Sequence, residues 1–142
     1  MFRRLDNGIM VAPQISVEAV TAAAAQGVTL IINNRPEGES DDQIAGPDIA
    51  AAARDAGLDY VAIPITHAGF SRPQIDAMAA ALAKADGVVL AYCRSGTRST
   101  LLWALARAQS GDNADTLAEK AAAAGYDLTP VRAMMDMLAG RA

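Results

Sequence analysis

Three short apolar runs, separated by segments of helical length, constrain the fold of this chain more than any other feature. They are VTLIIN (residues 28–33), YVAIPI (60–65) and VVLAY (88–92). Their length and β-branched content predict buried strands. The intervening segments predict helices, one starting at Pro47 and one capped by Ser71 with a capping box. Strands alternating with helices form a mainly parallel sheet with helices on both faces, so we expect an α/β fold.

The remaining segments complete one domain. RRLDNGIMVA predicts an N-terminal hairpin in which Asn7 and Gly8 adopt the positive φ angles of a tight turn. Further helices are predicted at about 16–26, with Ser16 as cap, and at 99–109, 113–124 and 130–138, with Thr129 capping the last. At 142 residues, the chain is expected to form a single domain spanning 1–142. The alanine-rich C-terminal helices either complete the core or form the face of a homodimer.

Composition excludes several classes of protein. A net charge of −4 argues against a nucleic-acid partner. The N-terminus has no signal-peptide core, and no apolar run is long enough to span a membrane, so a cytoplasmic location without a membrane partner is expected. One cysteine excludes an internal disulfide and suits a reducing compartment. One histidine, one cysteine and scattered carboxylates make a poor metal set, and no cofactor is expected.

That single cysteine, Cys93, directly follows the third apolar run, in YCRSGTRS. The carboxyl ends of parallel strands meet at one edge, so the loops after Asn33, Ile65 and Tyr92 should converge there. A thiol between a strand and a helix lies over the helix N-terminus, whose N–H groups form an anion cradle. Arg98 can fold over the same cradle, and both features favour the thiolate. We therefore predict that Cys93 is a nucleophile; the alternative is an inert buried cysteine.

The neighbours of Cys93 are predicted to bind the anion. Gly96 lets the backbone turn, while Ser95, Thr97 and Ser99 offer hydroxyl groups. Arg94 is expected at the rim, because it points away from Arg98 in most loop geometries.

Side chains on the two other loops are further candidates. Arg35 either attracts an anionic substrate or pairs with Glu37 or Glu39. His67 either supplies a proton or a hydrogen bond to the anion, or is an ordinary loop residue. Arg72 is predicted to be a solvated residue at a helix start.

Three segments together resemble one known family. They are LIINNRPEGE (30–39), GFSRPQIDAMAAAL (69–82) and YCRSGTRSTLLWALAR (92–107). They resemble the phosphatase-like domain of bacterial beta-lactamase hydrolase-like proteins, whose members are described either as phosphatases or as sulfurtransferases. The resemblance implies a tyrosine- or dual-specificity-phosphatase-like fold, with Cys93 as nucleophile and Arg98 as anion-binding residue. YCRSGTRS by itself also looks like the active-site loop of rhodanese-type sulfurtransferases.

The chain departs from the tyrosine-phosphatase pattern in three ways. Four residues, rather than five, separate Cys93 from Arg98; Tyr92 replaces the histidine before the cysteine; and the upstream loop offers His67 instead of an aspartate acid. The loop is shorter by about 3.5 Å of chain, which suits the terminal sulfur of a persulfide better than a phosphoryl group. A leaving alkoxide also needs a proton, whereas sulfite leaving from thiosulfate does not.

The resulting expectation is a cysteine-dependent sulfurtransferase working through a Cys93 persulfide. Its partners would be a small anionic sulfur donor, such as thiosulfate, and an external thiol or cyanide acceptor, because the chain has no second cysteine. The first alternative is a cysteine-dependent phosphatase acting on phosphotyrosine or small aryl phosphates. The second is a non-catalytic module that binds an anion or a protein.

Overall fold

The computed structural model describes residues 1–140, so Arg141 and Ala142 of the predicted domain lie outside the described residues. The strands are β1 (Arg3–Asp6), β2 (Ile9–Ala12), β3 (Val28–Asn33), β4 (Asp59–Ala62) and β5 (Val88–Tyr92). The α-helices are α1 (Val17–Ala25), α2 (Gly46–Asp55), α3 (Arg72–Lys84), α4 (Thr97–Gln109), α5 (Ala114–Ala123) and α6 (Arg132–Ala139). A 3₁₀ turn, Thr129–Val131, precedes α6.

The five strands form one sheet in the order β1-β2-β5-β3-β4. β1 and β2 pair as an antiparallel hairpin, whereas β2, β5, β3 and β4 run parallel. At the end of the central strand β5, Tyr92 pairs with Ala12 on one side and Asn33 on the other. The predicted α/β fold with a mainly parallel sheet is therefore confirmed. The segments that follow β2, β3 and β5 all leave from the same edge.

Helices cover both faces of this sheet because successive side chains of each strand point to opposite faces. In β5, Leu90 and Tyr92 pack with α1 and α2 on one face. Val89 and Ala91 pack with α3, α4, α5 and α6 on the other. Within that layer, α4 is enclosed almost completely: every residue of 99–106 is buried. Trp103 belongs to this core, as predicted.

Two predicted helix starts are confirmed by their caps. The Ser16 hydroxyl accepts a hydrogen bond from the Ala19 N–H. Ser71 and Gln74 form the predicted capping box at the start of α3.

Other predicted boundaries are wrong, for identifiable reasons. Thr129 does not cap the last helix: its hydroxyl donates to Asp127 at 2.6 Å, and Thr129 instead opens the 3₁₀ turn. The strand predicted over 60–65 is shorter, because Pro64 has no N–H to donate to a ladder. The helix predicted from Ser99 begins earlier, at Thr97.

The hairpin forms, but its turn differs from the prediction. No non-glycine residue described has a positive φ, and Gly8 is not among the glycines that do, so Asn7-Gly8 does not form the mirror-image turn. An irregular register between Arg4 and Asp6 replaces it. The Asp6 carboxylate, which accepts from the Asn7 N–H at 2.8 Å, supports this turn instead.

Two further observations concern function classes. Within residues 1–140, no helix is long and apolar enough to cross a bilayer. The same described part of the chain holds no group of three or more histidine, cysteine or acidic side chains arranged to bind a metal ion.

Candidate active site

Cys93 lies at the junction between the central strand β5 and the buried helix α4. Its side chain is fully buried, and the Gly96 N–H donates a hydrogen bond to its Sγ at 3.1 Å. Burial alone would suit an inert structural cysteine. A backbone N–H aimed at the sulfur is a different feature, since it favours the negatively charged form of the thiol.

Gly96 shapes the loop around that sulfur. It is the N-cap of α4 and has a φ of 91°, a left-handed conformation that glycine adopts without strain. A β-carbon at this position would also overlap the hydroxyl of Tyr126. The N-cap glycine has no side chain to cap α4, whose first turn contains no acidic residue; only the Thr97 N–H reaches a side chain, donating to Ser95 Oγ at 3.3 Å. The positive end of the helix dipole is therefore left to whatever anion enters the loop.

Arg98, in the first turn of α4, is held in place by three hydrogen bonds. Two guanidinium nitrogens donate to the two carboxylate oxygens of Glu39 at 2.8 Å each, and Nη1 also donates to the Ile65 carbonyl at 2.8 Å. The pKa of Arg98 is raised, first by its hydrogen bonds to Glu39 and further by Cys93. The guanidinium is therefore held in place by Glu39 and Ile65, and Cys93 is among the groups close enough to affect it.

Glu39 sits between two arginines. Besides Arg98, it accepts a hydrogen bond from Arg35 Nε at 3.0 Å. These hydrogen bonds, those of Arg98 first, lower the pKa of Glu39 to about 2, although burial opposes the shift. The carboxyl group therefore remains ionised at any pH near neutrality, and its negative charge holds the guanidinium groups of both arginines in place.

Arg35 is buried, with the remainder of its guanidinium donating to Gln14 Oε1 and Ser40 Oγ at 2.9 Å. Of the two alternatives considered for Arg35, the structure shows the ion pair with Glu39. All three guanidinium nitrogens of Arg35 donate hydrogen bonds to neighbouring side chains. Arg35 therefore stabilises the loop after β3 and is not free to bind a substrate.

A buried polar contact joins the loop after β3 to the start of α4. The Ser99 hydroxyl donates to Asn34 Oδ1 at 2.8 Å, and Asn34 Nδ2 donates to the Ile63 carbonyl at 2.9 Å. Both side chains are fully buried. Ser99 was predicted to serve the sulfur or the anion; in the structure its proton is used to align α4 with the loops after β3 and β4.

A cleft of about 330 Å³ next to Arg98 is lined by Glu39, Thr66, His67, Arg94 and Arg98, while the Cys93 side chain stays buried below this lining. His67 and Arg94 are exposed on its walls. The structure therefore brings together the loops after β3, β4 and β5, as expected, and places His67 and Arg94 at the rim.

Three other residues singled out in the sequence do not line the cleft. The Ser95 hydroxyl donates to Thr97 Oγ1 at 3.0 Å, so these two side chains bond to each other on the exposed side of the loop. Arg72 pairs with Asp76 on α3, with both side chains more than half exposed.

Tyr92, which precedes the cysteine, points away from the cleft into the layer formed with α1 and α2. Burial raises its pKa, so the phenol stays protonated.

Three residues of this site were not identified from the sequence in these roles. Glu39 was considered only as a partner for Arg35, although it stands in the segment that carried the family resemblance. Asn34 had no signal beyond its position after a predicted strand. Tyr126, whose hydroxyl donates to the Ser95 carbonyl at 3.2 Å, comes from the segment after α5 and had no local signal at all.

The mainly parallel sheet, with a cysteine after its central strand and an arginine in the first turn of the following helix, defines a phosphatase-like α/β domain. The family described as the beta-lactamase hydrolase-like protein, phosphatase-like domain, matches residues 1–111. The chain belongs to this family, which confirms the resemblance drawn from its three segments.

Individual relatives agree. A beta-lactamase hydrolase-like protein of Agrobacterium fabrum is 34% identical over 108 residues, covering 76% of this chain and 25% of the relative. The chain thus spans about a quarter of the length of that relative. A candidate phosphatase from Neisseria meningitidis is 31% identical, covers 96% of each chain and superposes with a TM-score of 0.83. The active form of Tk-PTP shares the fold, with a TM-score of 0.76 at 13% identity over 99% of this chain and 97% of that one.

These relationships help to decide between a phosphatase, in which the cysteine attacks phosphorus, and a sulfurtransferase, in which it attacks sulfur. The matching family and the Neisseria structure are both described in terms of a phosphatase. None of the relatives named here is described as a sulfurtransferase. The comparisons therefore favour the phosphatase alternative over the sulfurtransferase that the loop length had put first.

Proposed function

We propose that this domain is a cysteine-dependent phosphatase that hydrolyses small phosphate monoesters through a phosphocysteine at Cys93. The observation that carries the proposal is the placement of the Cys93 sulfur, next to the uncapped N-terminus of α4 and facing an arginine that Glu39 clamps. Backbone N–H groups and a planar guanidinium are the donors that suit the oxygens of a transferring phosphoryl group.

The reaction would proceed in two displacements. The Cys93 thiolate attacks phosphorus, an S–P bond forms, the ester P–O bond breaks, and the departing oxygen takes up a proton. Water then attacks the phosphocysteine, the S–P bond breaks, and inorganic phosphate leaves with the thiolate restored. Arg98 and the N–H groups of the loop hold the phosphoryl oxygens in both steps, because those oxygens carry the developing charge.

The cleft sets the class of substrate. Glu39 is the only carboxylate in its lining, and with a pKa of about 2 it is too acidic to deliver a proton near neutrality. The proton must therefore come from water or from His67, the one other titratable group on the wall that is not an arginine. Esters with good leaving groups, such as aryl phosphates, are the substrates that tolerate weak acid assistance best.

Sulfur transfer is a second candidate, favoured by one specific observation. Four residues separate Cys93 from Arg98, which makes the ring of donors smaller than in tyrosine phosphatases. In this reaction, the Cys93 thiolate takes the outer sulfur of thiosulfate and sulfite leaves. Cyanide or an external thiol then removes that sulfur, and the thiolate is restored.

One paired assay separates the candidates. Nitrophenyl phosphate hydrolysis and thiosulfate:cyanide transfer are measured on wild type, on Cys93→Ser and on Arg98→Lys, with Arg72→Lys as a control for an exposed arginine on α3. Intact mass is recorded after incubation with each substrate. A sulfur adduct can form only on the single cysteine, and a phosphoryl adduct is assigned to Cys93 if it is absent from Cys93→Ser. Hydrolysis that requires Cys93 and Arg98 but not Arg72 is the expected result.

The other outcomes are equally decisive. Transfer without hydrolysis, together with a sulfur adduct, would contradict the phosphatase and establish the second candidate. If the folded wild-type protein shows neither activity, both enzymatic proposals are overturned and only the anion-binding module remains.

A further inference from the structure

Tyr126 contacts the loop that follows Cys93, and it has no role in either of the two reaction schemes above. It follows α5, and its hydroxyl donates to the Ser95 carbonyl at 3.2 Å. It also lies beyond residue 111, where the match to the family ends. The contact therefore comes from a segment outside the residues that the family model matches.

The bonded carbonyl belongs to the same peptide group as the N–H that faces the sulfur. Ser95 supplies the C=O and Gly96 supplies the N–H of one planar unit, whose two dipolar ends point in opposite directions. Tyr126 holds one end, and Cys93 Sγ accepts from the other at 3.1 Å. Tyrosine, peptide and thiol thus form a continuous chain of two hydrogen bonds.

We propose that Tyr126 is a positioning residue that sets the thiolate of Cys93 through the Ser95–Gly96 peptide. Its hydroxyl keeps this peptide from rotating, and glycine at position 96 is the residue at which such rotation would be easiest. Donation to the carbonyl also polarises the peptide, so the N–H becomes a stronger donor to the sulfur. The inference concerns the thiolate alone and holds whether Cys93 attacks phosphorus or sulfur.

The surroundings of Tyr126 suit this role. The Arg3 guanidinium lies over its ring, 5.6 Å from the centroid, and donates to the Ala124 carbonyl at 2.8 Å. Partial burial is the main reason that the pKa of Tyr126 is raised above its ordinary value, so the phenol remains a donor at neutral pH. The ring is thus held in position, and its proton is available to the carbonyl.

The test is a titration of the thiolate by its ultraviolet absorbance, which needs neither substrate nor access to the sulfur. Wild type and Tyr126→Phe are each measured against the same protein carrying Cys93→Ser, so that tyrosine ionisation cancels. We expect the midpoint of thiolate formation in Tyr126→Phe to move to higher pH by up to about one unit, the effect that complete loss of a hydrogen bond to the thiolate would have.

Tyr60→Phe is the matched control, because it likewise removes a phenol hydroxyl engaged in a hydrogen bond, although this one accepts, from Asn33 Nδ2 at 2.9 Å. It should leave the midpoint unchanged. An unchanged midpoint in Tyr126→Phe, or an equal shift in both variants, would overturn the proposal. Failure of the phosphatase assay would not overturn it, because that assay measures turnover of a substrate, whereas the titration measures ionisation of the Cys93 sulfur.

Discussion

Glu39 and Arg98, 59 positions apart in the chain, are joined by two hydrogen bonds of 2.8 Å each. The pair ties the loop after β3 to the first turn of α4, so the guanidinium that faces Cys93 is oriented by a residue from another strand. Bidentate pairs of this kind fix direction as well as distance. The geometry of the site therefore depends on a residue that touches neither the sulfur nor, in our scheme, the phosphoryl group.

Glu39→Gln should impair catalysis while leaving the fold intact. The amide keeps the size of the side chain but loses its charge and offers one acceptor oxygen in place of two, so Arg98 becomes free to move. We expect kcat/KM to fall by about 10- to 100-fold, as for a misplaced positioning group. Glu119→Gln, an exposed change on α5, serves as the control in the same assay. A normal kcat/KM in Glu39→Gln would show that the clamp is dispensable.

The same residue predicts a pH dependence of stability. The pKa of Glu39 is lowered from 4.5 to about 2 in the folded protein, first by Arg98 and then by Arg35. The stabilisation is therefore complete above pH 4.5, and it is lost as pH falls through that range toward about 2. Thermal unfolding of wild type and Glu39→Gln should show a gap in Tm that is constant near neutrality and closes in acid. A gap that closes above pH 5.5 would be inconsistent with the stated pKa.

Gly96→Ala should destabilise the loop in two ways. Its φ of 91° strains any side chain, and the added β-carbon would overlap the Tyr126 hydroxyl. The strain alone costs about 1–2 kcal/mol. Gly27→Ala isolates that part, because Gly27 has a φ of 88° and open space around it.

Urea unfolding should therefore rank Gly96→Ala as less stable than Gly27→Ala. Adding Tyr126→Phe to Gly96→Ala should restore part of the difference, since it removes the overlapping oxygen. If the double variant is no more stable than Gly96→Ala, the overlap with the Tyr126 hydroxyl is not the cause of the additional destabilisation.

Asn34→Ala should cost about 2–4 kcal/mol of unfolding free energy, because it leaves the Ile63 carbonyl and the Ser99 hydroxyl buried without partners. Ser99→Ala removes only one of these contacts and should cost about 1 kcal/mol. Denaturant titration of both variants gives the comparison. Equal losses would mean that Asn34 acts through Ser99 alone.

His67→Gln tests where the leaving group obtains its proton. If the histidine on the cleft wall supplies it, hydrolysis of phenyl phosphate should fall by roughly 10²-fold while nitrophenyl phosphate, whose leaving group is more acidic, is nearly unaffected. Steady-state kinetics with the two esters provides the measurement. A uniform decrease for both would assign His67 to binding, and no change for either would leave water as the proton source.

Local sequence patterns were sufficient to predict the sheet, its parallel strands and the placement of Cys93 between strand and helix. Those features depend on residues close together in the chain, where periodicity and caps are informative. The contacts that orient the loop are different. Glu39 reaches Arg98 across 59 positions and Tyr126 reaches Ser95 across 31, and no local pattern encodes such pairings.

The hairpin shows the same limit at short range. Asn7-Gly8 predicts a mirror-image turn by composition, yet the Asp6 side chain and an irregular register produce another. The expectation of sulfur transfer likewise depended on local features, namely the length of one loop and the lack of an upstream aspartate. That a solved relative is described as a candidate phosphatase is information that these local features do not contain.

The enclosure of α4 has a consequence for how this domain can change over evolution. Its first turn carries Arg98 and the next eight positions, 99–106, are buried, so nearly every substitution there disturbs the core together with the anion cradle. Substitutions at exposed positions such as His67 and Arg94 do not disturb the core. Divergence toward new substrates, and libraries built to select for it, should therefore concentrate on the rim, while the helix that supports the chemistry remains nearly invariant.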